Sequence, residues 1–383
     1  MRNVKVVMHG VTGRMGKNQH LLRSIMAIRK EGGVPRGSGD NIMPEPILTG
    51  RDPRKLEELA ADCGGLAWST DVDALLADPE VEIFFDAGST QLRASLLHRA
   101  IAAGKSVYCE KPSADTAAAA ADLYRAAAKA GVKHGAVQDK LWLPGLLKLK
   151  RLVDSGFFGQ ILSVKIDFGY WVFVGDDVAC QRPSWNYRKE DGGGIILDML
   201  PHWHYVIQNL FGEPGRILCH GATHVPRRWD EQGKSYAATA EDAFYAIVET
   251  RTGVTVQINS SWTTRVRRDD LVTFQVDGTH GSAVAGLTDV RIQPLQATPR
   301  PVWNPDQKQP HDFFADWQML PTVETFDNAF KAQWSLFLKH VVDGDPFPWD
   351  LHAAALGVAF AETGTNSWRE GRWLDTLGVE GAP

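Results

Sequence analysis

The chain has 383 residues, 44% hydrophobic and 23% charged, which is ample apolar material for two domains and excludes both a disordered polymer and a small disulfide-stapled fold. Its 41 Lys and Arg against 46 Asp and Glu leave a net charge of −5, with no basic excess to neutralise a nucleic-acid backbone. The start, MRNVKVVMHG, is too short an apolar run for a secretory signal, and no stretch approaches the ~20 apolar residues that span a bilayer, so export and membrane partners are not expected.

Residues 1–140 alternate short β-branched runs with Ala- and Leu-rich stretches, the pattern of a parallel sheet covered by helices. The predicted strands are Val4–Val7, Pro46–Thr49, Val81–Asp86, Ser106–Cys109 and Lys133–Val137. Predicted helices between them are Lys17–Arg29, Arg54–Asp62, Arg93–Ala103 and the alanine-rich Asp115–Ala130. The segment Glu31–Pro46, with four glycines and three prolines, is expected to be an inserted loop.

From residue 141 to 383 the texture changes to longer alternating strands: Ile161–Val174, Ala243–Glu249, Val254–Trp262 and Leu271–Val276. This predicts a second, α+β domain on an open, mostly antiparallel sheet, covered by helices near Leu146–Asp154, Ile195–Phe211, Phe326–Val342 and His352–Arg369. Cys63, Cys109, Cys180 and Cys219 are far apart, form no CxxC pair and read as free thiols, which points to a reducing, cytoplasmic setting.

Gly10-Val-Thr-Gly13-Arg-Met-Gly16 follows the first strand and opens a helix, the context in which glycines let a backbone approach a pyrophosphate and a helix N-terminus receives its charge. Its spacing, GxxGxxG, departs from GxGxxG by one residue. At the end of the second strand, Gly50 stands where an acidic ribose ligand would bind NAD, and Arg51 follows. This favours NADP, with NAD as the alternative should Asp52 reach the ribose.

Glu110-Lys111-Pro112 ends the Ser106–Cys109 strand at the sheet edge where such folds bind ligands, and a lysine there can stabilise an alkoxide. Further on, Gly192-Gly193-Gly194 leads into Asp198 and His202, four apart on one helix face, a carboxylate able to orient an imidazole base. His202 and His204 point apart on a helix and have no evident third ligand, so no metal site is expected.

The EKP element after a Rossmann-like half, followed by a triple glycine and DxxxH, resembles the Gfo/Idh/MocA family of oxidoreductases over nearly the whole chain. That resemblance implies a Rossmann domain, an oligomerising α/β domain, and an NAD(P)-dependent sugar or polyol dehydrogenase with a homo-oligomeric (dimeric or tetrameric) assembly. It implies Lys111, Asp198 and His202 as catalytic group. Dinucleotide contacts are expected from Gly10, Thr12, Gly13, Arg14, Met15, Gly50, Arg51, Ser89, Glu110, Lys111, Pro112 and Gln138. Substrate contacts are expected from Lys111, Asp198 and His202 and from the loop residues Arg182, Trp185, Asn186 and Tyr187, whose rings and polar groups suit a carbohydrate. Departures are Leu200 where the family commonly has glycine, Tyr205 where it has an acid three residues after the histidine, and the Glu31–Pro46 insertion. Two rivals are a non-enzymatic dinucleotide and sugar sensor, which needs no proton-transfer groups, and a dihydrodipicolinate reductase, whose opening GVTGRMG resembles.

Overall fold

Val4, Val6, Val7 and Met8 are fully buried in strand β1 (Arg2–His9), the apolar run expected of a strand covered on both faces. The computed structural model describes residues 1–172, 179–268 and 270–379. It divides into two compact units. The first takes Met1–Trp142, Asp327–Glu362 and the described residues from Leu377; the second takes Leu143–Phe326 and Thr363–Thr376.

In the first unit, helix α1 opens with wide, π-type turns over Gly16–Ile25 and closes with α-helical turns over Met26–Lys30. The sheet order is β2 (Val34–Pro35), β3 (Asn41–Thr49), β1, β5 (Val81–Asp86), β6 (Ser106–Cys109) and β7 (His134–Ala136), with β4 (Ala67–Ser69) paired to β3. Helices α2 (Pro53–Asp62), α3 (Val72–Ala77), α4 (Thr90–Ala102) and α5 (Ala117–Ala130) connect the parallel strands. The chain runs from β1 outward to β3 and returns on β1's other side at β5, so β1 and β5 flank the switch point at which open α/β sheets bind ligands.

The Glu31–Pro46 segment is not the loop expected. β2 pairs antiparallel with the start of β3, which begins at Asn41, so the insertion is a hairpin that widens the sheet by one edge strand. Arg36, at its turn, is ion-paired to Asp343 at 2.5 Å. Strand β4 and helix α3 are additions that the short apolar runs did not announce.

In the second unit, a nine-stranded sheet runs β17 (Gln318–Met319), β16 (Val290–Pro294), β15 (Gly281–Ala285), β14 (Val272–Gly278), β8 (Ile161–Gly169), β13 (Thr255–Ser261), β12 (Ala243–Thr250), β9 (Pro214–Ala222), β18 (Leu374–Asp375). All neighbours are antiparallel except β8 and β13. A separate hairpin joins β10 (Arg227–Trp229) to β11 (Ser235–Ala237). Residues 173 and 174 of the expected Ile161–Val174 strand lie outside the described residues. Helices α6 (Pro144–Asp154) and α7 (Ile195–Leu210) belong to this unit. Trp203 of α7 is buried on the sheet, its indole donating to Ser260 Oγ at 2.8 Å. The other side of β12 leaves Tyr245 and Ile247 about two-fifths exposed.

Helix α8 (Ala329–Asp343) corrects the expected single cut at residue 140. With α9 (Leu351–Glu370) as far as Glu362, it belongs to the first unit. Trp334, Phe337 and Leu338 are fully buried in the cluster formed by Val4, Val6, Met8, Phe85 and Tyr108. Amphipathic spacing marks a buried face but not the sheet it covers.

Candidate active site

Gly10 ends β1 with φ +78°, and a Cβ there would fall 2.5 Å from the backbone of Ala87 and Gly88. A Cβ on Gly16 would fall 2.4 Å from the carbonyl of Gly10. Only glycine permits so tight a turn, which presents the first amides of α1 at the switch point as an anion cradle. Thr12, Gly13 and Arg14 are exposed along this turn and Met15 is half-buried. At the end of β3, Gly50 and the exposed Arg51 precede Asp52, whose carboxylate caps α2 by accepting from the amides of Arg54 (3.1 Å) and Lys55 (3.3 Å). Ser89 is exposed at the N-terminus of α4.

Gln138 is buried after β7, its amide nitrogen donating to Gln333 Oε1 at 2.8 Å. Its own side-chain oxygen is buried with no partner among the described residues. An acceptor left in this state fits a ligand amide, so the glycine cradle and Gln138 together suit a nicotinamide dinucleotide.

The ends of β5 and β6 are tied by a buried network that the sequence did not reveal. Arg93 donates Nε to Asp86 at 2.8 Å, Nη2 to the Gly88 carbonyl at 2.8 Å and Nη1 to the carbonyl of Pro112. Asp86 also lies 2.6 Å from His9 Nδ1. Burial pushes the Asp86 carboxyl up, but the His9 hydrogen bond and the Arg93 charge outweigh it and hold it below the ordinary carboxylate range. Glu110 follows the same balance. Burial raises it, the hydrogen bond from His20 and the charges of Lys111 and Arg93 lower it, and it stays ionised. Lys111 and Pro112 are half-buried beside it.

In the second unit, the triple glycine seats the start of α7. A Cβ on Gly193 would fall 2.4 Å from the Trp185 carbonyl. Glu241 caps the helix, its carbonyl accepting from the Ile195 amide (3.1 Å) and its carboxylate from Ile196 (3.0 Å). Asp198, one turn in, accepts from Arg182 Nη2 at 2.9 Å, and the same nitrogen donates to Asn186 Oδ1 at 2.9 Å. The Arg182 guanidinium lies 4.1 Å over the Trp262 ring. His202 is buried with Nδ1 2.6 Å from the Tyr205 hydroxyl. Tyr205 therefore holds the imidazole from the position where the family commonly has an acid, and its spacing of three from His202 was a readable signal.

Arg182, Asn186 and Asp198 come together, and Trp185 is half exposed. Tyr187 is a correction: it is fully buried, with Arg228 3.9 Å over its ring, and packs the loop in place of offering a sugar a stacking face. Among the described residues no group of three His, Cys, Asp or Glu is placed to hold a metal, and no helix is long and apolar enough to cross a membrane. The four cysteines are unbridged.

Residues 4–137 match the model described as oxidoreductase family, NAD-binding Rossmann fold, and residues 146–284 match the GFO/IDH/MocA C-terminal domain. D-xylose dehydrogenase of Paenarthrobacter nicotinovorans is 53% identical over 97% of both chains. Levoglucosan dehydrogenase, solved in complex with NADH and L-sorbose, superposes with TM-score 0.81 at 19% identity, covering 99% of this chain and 100% of that one. An aldose-aldose oxidoreductase from Caulobacter crescentus superposes with TM-score 0.75 at 19% identity, covering 98% of this chain and 100% of that one. At these identities the two solved structures speak to the fold.

Proposed function

The chain belongs to the Gfo/Idh/MocA family of oxidoreductases and is a sugar dehydrogenase, and from that premise we propose that it oxidises a pyranose, D-xylose first, at the anomeric carbon. The observation that carries the substrate is the 53% identity to D-xylose dehydrogenase along 97% of the chain. C1 of an aldopyranose is the carbinol carbon whose ring oxygen supports the charge developed as hydride leaves, and its product is a lactone.

The dinucleotide supplies hydride acceptance when bound. Gly10 to Gly16 would hold its pyrophosphate and Gln138 its carboxamide. We favour NADP over NAD: Gly50 offers no carboxylate, Asp52 is spent on capping α2, and Arg51 is exposed beside them. His202 is the base. Nδ1 lies 2.6 Å from Tyr205 Oη, and in the tautomer that donates Nδ1–H to this hydroxyl the lone pair is on Nε2, which takes the proton of the sugar hydroxyl. Lys111 contributes an ammonium that stabilises the oxygen as negative charge develops. Arg182, Asn186 and Asp198 form a polar cluster suited to neighbouring hydroxyls.

The test is D-xylose deuterated at C1. A primary isotope effect on dinucleotide reduction, with lactone as product, supports the assignment. Turnover without an isotope effect and with a keto-aldose product moves the reaction to another carbinol carbon of the ring.

A further inference from the structure

Several polar groups of the first unit that this reaction does not use converge on Glu110. His20, on α1 and 90 residues away in sequence, is fully buried with Nε2 2.8 Å from Glu110 Oε1. Its other ring nitrogen, Nδ1, is 3.0 Å from the indole Nε1 of Trp334 on α8. An indole N–H only donates, so His20 Nδ1 accepts. The neutral imidazole then carries its proton on Nε2 and donates it to Glu110, so the tautomer is set by its neighbours.

The pocket offers the ring little else. Phe85 and Phe330 lie with ring centroids 4.4 and 5.1 Å from it. A second proton on the imidazole would have to expel the indole hydrogen bond. At the other end of the chain of contacts, Glu110 Oε2 accepts from the backbone amide of Lys111 at 3.1 Å. Trp334 thus donates to His20, and Glu110 receives both the His20 N–H and the Lys111 amide. Packing alone does not call for this arrangement, because a buried carboxylate is costly and apolar side chains would fill the same volume.

We propose that His20 and Trp334 are positioning residues, which lock one imidazole tautomer onto Glu110 and so fix the backbone that carries Lys111. The inference rests on the reading of Lys111 as an active-site group. Three variants and two readouts test it.

Trp334→Phe keeps an aromatic ring and removes the N–H; His20→Gln keeps a donor toward Glu110; His20→Leu keeps neither nitrogen. Nitrogen NMR of isotope-labelled histidine on the wild type should show His20 as the Nε2–H tautomer, and Trp334→Phe should mix the tautomers. His20→Leu should lower kcat by about tenfold or more with little change in the KM for sugar, and His20→Gln should restore most of it. An Nδ1–H or doubly protonated His20 in the wild type, or equal kcat in the Leu and Gln variants, overturns the proposal. If His20→Leu fails to fold, Trp334→Phe decides alone, since unchanged tautomer and unchanged kcat both count against the lock. A wild type inert toward every sugar would instead remove the dehydrogenase reading and the positioning role with it, whereas an active wild type with indifferent variants would remove the positioning role only.

Discussion

Tyr205 orients His202 through a neutral phenol, where a carboxylate would add a negative charge to the imidazolium formed during catalysis. Tyr205→Phe removes the hydroxyl that holds Nδ1 and should lower kcat by about tenfold with KM nearly unchanged, measured by steady-state kinetics. An unchanged kcat would mean that the phenol only packs. At the adenine end, Gly50→Asp should shift the ratio of kcat/KM toward NAD by introducing the missing ribose ligand and repelling a 2′-phosphate; an unaltered ratio would dissociate this position from cofactor choice. Both positions were legible in sequence, Gly50 as the end of a predicted strand and Tyr205 as a departure from the family's acid, although not as the partner of His202. His20 and Arg93 were not. Their partners are set by tertiary packing between segments that no local period connects, as Glu110 is 90 residues from His20 and Asp86 is met from both β1 and α4.

Elements were predicted best where turn residues punctuate an apolar run. β5 and β6 were predicted at their observed ends, and α7 differs by one residue at Phe211. What the pattern lacked was destination: α8 reads as an amphipathic helix either way, but Trp334 and Phe337 bury against Phe85 and Tyr108 of the first unit. Phe337→Ala should therefore cost about 3–5 kcal/mol and destabilise the unit that carries the glycine turn, as read by denaturant unfolding. The hairpin of β2 and β3 was hidden for a different reason: Gly37 and Gly39 occupy its turn, while Pro35 lies on the edge strand, which tolerates it, and Pro44 and Pro46 lie within β3.

Helix α7 also holds a titration that unfolding can read. Burial pushes His204 down to about 4, against an ordinary 6.5, so the folded chain resists a proton that the unfolded chain takes up. Between those values the unfolded state binds more protons, and stability falls as pH falls, by at most about 3 kcal/mol at the acid end. His204→Gln should flatten that part of the stability profile; an identical profile would assign the slope to other groups.

For the whole molecule, the two units separate the tasks that the sequence assigned to two domains: a parallel sheet with a glycine turn at its switch point, and a nine-stranded sheet carrying His202 and Asp198 on α7. The open face of that second sheet exposes Tyr245 and Ile247, two apart on β12 and flanked by Asn259, His220 and Gln257, and it is the face that a homo-oligomer would have to cover. Ile247→Glu should lower the mass in light scattering toward that of one chain while the monomer stays folded. A single-chain mass in the wild type would remove the oligomer from the account.

Whether Lys111 and His202 serve dehydrogenation of an aldopyranose is decided by steady-state reduction of NADP and NAD by D-xylose, beside Lys111→Ala and His202→Ala. The wild type should turn over, faster with NADP, and both variants should lose at least about 100-fold with dinucleotide binding retained. Turnover that survives either substitution, or a wild type that binds dinucleotide and reduces none with any pentose or hexose, would contradict that role.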